Sequence, residues 1–163
     1  MTDYITGSNY IDLSLVEHKL GVFHVWVPAN WNKIDLKKRV KGLLLSPYTD
    51  DINTSLLAEK RKLKYRVFPE DLPVLREGFQ KGIEAMPGFE IEMQDEKLAE
   101  KVSYFEARFT FLDGDRRCKR WVRSYYWDDE QLIVVAQGRS LQDFGRLQPL
   151  FYTIMMSITI DVS

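Results

Sequence analysis

Apolar residues fall along the chain in short runs of two kinds, some alternating with polar residues and some recurring every three or four positions. Phe105, Ala107, Phe109 and Phe111 alternate with Glu106, Arg108 and Thr110 up to Asp113-Gly114. Such alternation predicts a half-buried strand, and Asp-Gly is a strong signal for a tight hairpin turn. A returning strand over Arg116 to Trp127 follows, a second turn at Asp128-Asp129 reverses the chain, and Leu132 to Ala136 completes an antiparallel meander.

The pattern predicts further elements on either side. Val22 to Pro28 is β-branched and aromatic, apolar on both faces, and ends at its proline. Ile52 to Leu63 reads as a strand from its Asn, Thr and Ser, although Leu56 to Lys60 suits a helix equally well. From Pro69 to Met86 the residues Leu72, Leu75, Phe79, Ile83 and Met86 make one helical stripe, with Glu70 and Asp71 at the positive end of the dipole. Pro87-Gly88 stops that helix, and Phe89, Ile91 and Met93 then alternate with Glu90, Glu92 and Gln94 as a strand. Ser140 is placed to cap a last helix whose stripe runs from Leu141 to Ile158, with Pro149 as a kink.

At 163 residues, with no repeat and no Pro/Gly/Ser-rich linker, the chain is expected to form one domain over residues 1–163. The net charge of -1 gives no general attraction to phosphate backbones or anionic lipid. Met1 to Tyr10 lacks the basic and apolar run of a signal peptide, and no apolar run approaches the roughly 20 residues that span a bilayer. A soluble, cytoplasmic protein is expected. The single Cys118 excludes an internal disulfide and suits a reducing compartment as a partly buried thiol.

Chemistry is sparse. His18 and His24 lack the ligand spacing of a zinc site, no nucleophile elbow, phosphate loop or dinucleotide fingerprint occurs, and Glu90 and Glu92 read as a solvated strand face. Neither a cofactor nor a catalytic set is expected. The basic run Arg116, Arg117, Lys119, Arg120 and Arg123 shares its strand with Trp121, Tyr125 and Trp127, which permits an alternative reading as a nucleic-acid-binding strand. Glu106 and Glu130 stand where they could neutralise those arginines. What is left over is apolar surplus: Val22, Trp26, Trp31, Trp121, Tyr125 and Trp127 exceed what two amphipathic helices obviously cover, so an exposed patch for a partner is expected.

The order of elements, carried by Val22 to Pro28, Met86-Pro87-Gly88-Phe89, the hairpin Phe109 to Trp121 around Asp113-Gly114, and Leu132 to Gly138, resembles the PsbP-like fold over about Val22 to Ile158. That fold is α+β, an α/β/α sandwich with a mostly antiparallel sheet flanked by helices. Within it the chain looks most like the Eag (effector-associated gene) chaperones of bacterial type VI secretion. The resemblance implies a homodimer that grips the amino-terminal transmembrane helices of a toxin effector and shields them in the cytoplasm before export. Carried over by position, the groove face is Val22, His24 and Trp26, with Phe23, Val25 and Val27 toward the core. His24 departs from the aliphatic residue this family suggests. Trp121 and Tyr125 are added as partner contacts, and with Trp127 as the aromatic surface of the dimer.

Overall fold

The computed structural model describes residues 14–162, so Met1 to Tyr10 lies outside the described residues. Strand β1 (Leu15–Leu20) turns at Gly21-Val22 into β2 (Phe23–Pro28), and β3 (Asn32–Ile34), β4 (Lys41–Ser46) and β5 (Ser55–Lys62) follow. A 3-10 turn over Pro69–Asp71 leads into α1 (Leu72–Glu84). Then come β6 (Glu90–Lys97), β7 (Ser103–Asp113), β8 (Arg116–Trp127), β9 (Glu130–Gly138), α2 (Leu141–Met156) and β10 (Thr159–Ile160).

Seven strands form one antiparallel sheet in the order β3-β4-β5-β9-β8-β7-β6, and β1, β2 and β10 form a second, small sheet. The predicted meander is its centre, with Gly114 at a φ of +66° in the turn. The segment around Ile52 to Leu63 is a strand, because β5 fills the gap between β4 and β9. The small sheet is an addition to the predicted sandwich: β2 is the expected strand, while β1, with its successive charged residues, and the two-residue β10 are too charged or too short to announce themselves.

The two faces of the large sheet carry different layers. On one face Leu43, Leu45, Leu56, Ala58, Trp121, Tyr125, Leu132, Val134 and Ala136 pack with Phe144, Leu147, Leu150, Phe151 and Ile154 of α2 and with Phe23, Val25 and Val27 of β2. On the other face Ala107, Phe109, Phe111 and Cys118 pack with Ile83, Phe79 and Met86 of α1, while Phe105 and Tyr126 meet Leu72 and Leu75. Each strand alternates between these faces, so β8 sends Trp121 and Tyr125 to one helix and Val122 and Tyr126 to the other.

Helix α2 is fixed at its start. Ser140 Oγ accepts from Asp143 N at 3.0 Å, as the cap predicted. A Cβ on Gly138 would lie 2.7 Å from Phe144 N, so only glycine lets the helix approach β9 this closely. Pro149 lies inside α2 without ending it.

An ionic clasp joins the loop before β5 to this end of α2. Arg139 bonds Asp51 Oδ2 through Nη1 at 2.6 Å and Asp143 Oδ2 through Nε at 2.6 Å. Burial alone would raise the Asp51 carboxyl, but bonds from Arg139 and from the Asn53 amide hold it below the usual range. A depressed carboxyl contributes stability above its unfolded pKa and loses it as pH falls through the folded value. The thermal midpoint should therefore fall on acidification from pH 5 to about pH 3, and in Asp51→Asn it should start lower and fall less. An equal acid-induced fall in both proteins would contradict the clasp.

Candidate functional site: an apolar groove beside the first helix

Strand register assembles a row of apolar side chains that no stretch of sequence contains. Leu44 pairs Leu57, Leu57 pairs Val135, Val135 pairs Val122, and Val122 pairs Ala107, so the five stand side by side across β4, β5, β9, β8 and β7 on the α1 face. Helix α1 covers the Ala107 end. Beyond it, Leu57, Ile133 and Val135 stay half-exposed. Beside the helix runs a groove of about 500 Å³, floored by Val122, Ile133 and Val135 and walled by Leu75, Phe79 and Ile83.

The wall is unusually low. Gly78 and Gly82 line the groove from α1, four residues apart on one side of the helix, and a Cβ built on either would meet nothing within 4 Å. Each glycine costs a helix interior about 1 kcal/mol relative to alanine. In return the α1 backbone is bare toward the groove, which is what close helix packing requires. Val74, 71% exposed, extends the apolar surface.

The direction of the groove follows from what α1 touches. Leu72 at its start packs with Tyr126 of β8, and Met86 just past its end receives Arg120 Nη1 of the same strand at 3.9 Å. Groove, helix and strand therefore run together from Tyr126 to Arg120. Six residues of strand rise about 20 Å, the length of about 13 helical residues. At the Tyr126 end Gln131 Nε2 donates to Tyr126 Oη at 2.9 Å and to Ser124 Oγ at 3.1 Å, so the polar groups there are satisfied.

The residues expected to bind a partner lie elsewhere. Phe23, Val25 and Val27 face the core as predicted, and Trp26 is 43% exposed on the outer face of β2. That face is charged: Glu17 Oε2 lies 3.3 Å from His24 Nδ1, and Lys19 pairs the same carboxylate. Val22 is in the β1–β2 turn, packed against the main core. Its carbonyl accepts from Asp161 N at 2.9 Å, so the face carried over as Val22, His24 and Trp26 does not form one apolar surface.

Trp121 and Tyr125 need correction outright. They are 2% and 5% exposed, and Trp127 is as deeply covered, because α2 lies over their face of β8. Trp121 Nε1 donates to Glu106 Oε2 at 2.8 Å, and Arg123 Nη1 donates to Tyr125 Oη at 3.1 Å. Burial pushes the Tyr125 hydroxyl pKa up. These rings can neither stack bases nor build a dimer surface. Four of the five cations on the basic run meet carboxylates: Arg116 with Asp113, Arg117 with Glu90, Lys119 with Glu92 and Arg123 with Glu106. Cys118 is buried, its Sγ donating to Arg139 O at 3.3 Å. Among the described residues no helix is long and apolar enough to cross a membrane, and no three His, Cys, Asp or Glu side chains are grouped to hold a metal.

Solved structures share this architecture at low identity. The cyanobacterial PsbP (CyanoP) of Synechocystis superposes with a TM-score of 0.65 at 12% identity, over 91% of this chain and 94% of its own. The fold is PsbP-like. LpqN of Mycobacterium tuberculosis, involved in cell envelope biogenesis, matches with a TM-score of 0.65 at 15% identity over 96% and 98% of the two chains. PA94 of Pseudomonas aeruginosa, a protein of unknown function described as a putative regulator, matches with a TM-score of 0.55 at 11% identity over 91% and 99%. No family model matches the sequence, and no curated protein does. The likeness is one of fold.

Proposed function

We propose that the protein is a non-catalytic chaperone or adaptor that holds an apolar helix of a partner protein in the groove beside α1. The observation that carries this reading is the open apolar row Leu57, Val135 and Val122 bordered by the bare flank of Gly78 and Gly82. An apolar helix in water gains roughly 25 cal/mol for each Å² it buries, and a groove whose lining is mostly apolar, with its polar groups toward the ends, takes it up chiefly by burial. The resemblance to Eag chaperones suggests its source: the amino-terminal transmembrane region of a type VI secretion effector, shielded in the cytoplasm before export. A groove of about 13 helical residues covers only part of a spanning helix, so several helices call for two copies, in keeping with the homodimer that resemblance implies.

The nucleic-acid reading has less support, since its aromatics are buried and its cations largely paired. The two readings differ in salt dependence, because phosphate contacts weaken steeply with salt and apolar contacts do not.

Gly82→Leu tests the groove with little risk to the fold. A Cβ at this position meets no atom within 4 Å, and the change removes a helix-weakening glycine, so the thermal midpoint should hold or rise. Co-expressed with an effector's apolar amino-terminal segment, the variant should lose most of the pull-down yield of the wild type. Undiminished capture by a folded Gly82→Leu protein would exclude this groove.

A further inference from the structure

One cation of the basic run has no carboxylate in ion-pair contact among the described residues, and it stands at the end of the groove. Arg120 alone among the five forms no ion pair with a carboxylate of the described residues. Its Nε donates to Gln137 Oε1, its Nη1 reaches Met86 Sδ at 3.9 Å, and its plane lies over the Phe111 ring at 4.6 Å. Desolvation by burial pulls its pKa below the ordinary arginine value, with Cys118 and Asp113 acting the other way. Guanidinium nonetheless keeps its proton in proteins, so the half-buried charge persists. Around it are an amide oxygen, a thioether and a ring, none of which neutralises it.

We infer that the helix received by the groove carries a carboxylate that pairs with Arg120. This rests on the groove being a helix site, and it specifies which helix fits. Arg120 stands two residues from Val122 along β8, about 7 Å, a little over one helical turn. A partner helix with small and apolar residues along the Gly78 and Gly82 flank would bring an Asp or Glu to Arg120 from a position four or five residues beyond the side chain seated on Val122. Its acid would be held by a forked donor in a water-poor setting, where charge-assisted bonds are strong. A wholly apolar helix would instead press against an unpaired guanidinium.

The experiment uses the full chain and a synthetic peptide of about 20 residues, the length of a membrane span. The peptide is built of Leu and Ala with flanking lysines, carries one Glu near an end, and is compared with the same peptide carrying Gln. Affinities are read by fluorescence anisotropy for wild type and Arg120→Gln. Wild type should bind the Glu peptide about tenfold or more tightly than the Gln peptide, and Arg120→Gln should bind both alike. Equal affinity of wild type for the two peptides would overturn the inference, and that comparison needs no folded variant. So would a preference for Glu that survives in Arg120→Gln. Binding of both peptides that is equal yet abolished by Gly82→Leu would leave the groove standing and remove only the acid; no binding of either would remove both.

Discussion

Glu106→Ala is expected to cost about 3–5 kcal/mol of folding stability, the range for leaving a buried charge without its partner. Glu106 Oε2 accepts from Trp121 Nε1 at 2.8 Å and from Arg123 Nε at 2.5 Å. Both members of the ion pair are nearly covered, with side-chain exposures of 8% and 11%. Arg123 Nη1 also donates to Met155 O at 3.1 Å, so the same guanidinium ties the sheet to the last turn of α2. Removing the carboxylate strands a guanidinium and an indole N–H beneath the helix. Glu106→Gln keeps an acceptor and should cost roughly 1–3 kcal/mol. Urea unfolding of the three proteins checks this, and a Glu106→Ala midpoint within error of wild type would show that water relieves the pair.

Much of the large sheet was legible because it is encoded locally. Phe105 to Phe111 alternates cleanly, Asp113-Gly114 fixes the turn, and the stripe from Leu72 to Met86 has a single period; each becomes the expected element. The missed strands lack such signals. In β4 the run Leu43-Leu44-Leu45 is apolar on both faces and too short to separate from a helix turn, while β1 places Glu17, His18 and Lys19 in succession. The parity of β2 and of β8 was readable, since alternation is set by the backbone. Which face a helix would cover was not. Trp121 and Tyr125 looked like surplus surface because α2, far along the chain, supplies their cover.

The groove was illegible for a related reason. Its floor joins Val122 of one strand to Ile133 and Val135 of another, with Leu57 of a third beside them, and only the register makes them neighbours. One local signal was present: Gly78 and Gly82, four apart within a helical stripe, cost the helix stability and therefore mark a close approach.

Val135→Asp should abolish helix binding, lowering affinity by about a hundredfold or more, because the carboxylate would be desolvated against an apolar partner. In the free protein Val135 is half-exposed and water can reach the new charge, so stability should fall by only about 1–2 kcal/mol. Val22→Asp behaves oppositely, since Val22 packs on the main core and its replacement weakens the fold before any partner arrives. Pull-down yield and thermal midpoint, measured side by side on the two variants, separate these outcomes. Retained binding by Val135→Asp would take the floor of the groove out of the function.

On the proposed function, the partner's apolar helix lies along α1 over β8 and β9. Backbone amide shifts measured by NMR during titration with the lysine-flanked Leu/Ala peptide locate it directly. Changes should concentrate on residues 74–83 of α1, on Arg120 to Ser124 and on Gln131 to Val135, with His24 and Trp26 unmoved. Changes confined to His24, Trp26 and their neighbours on β1, with α1 silent, would contradict the claim and return the site to the outer face of the small sheet.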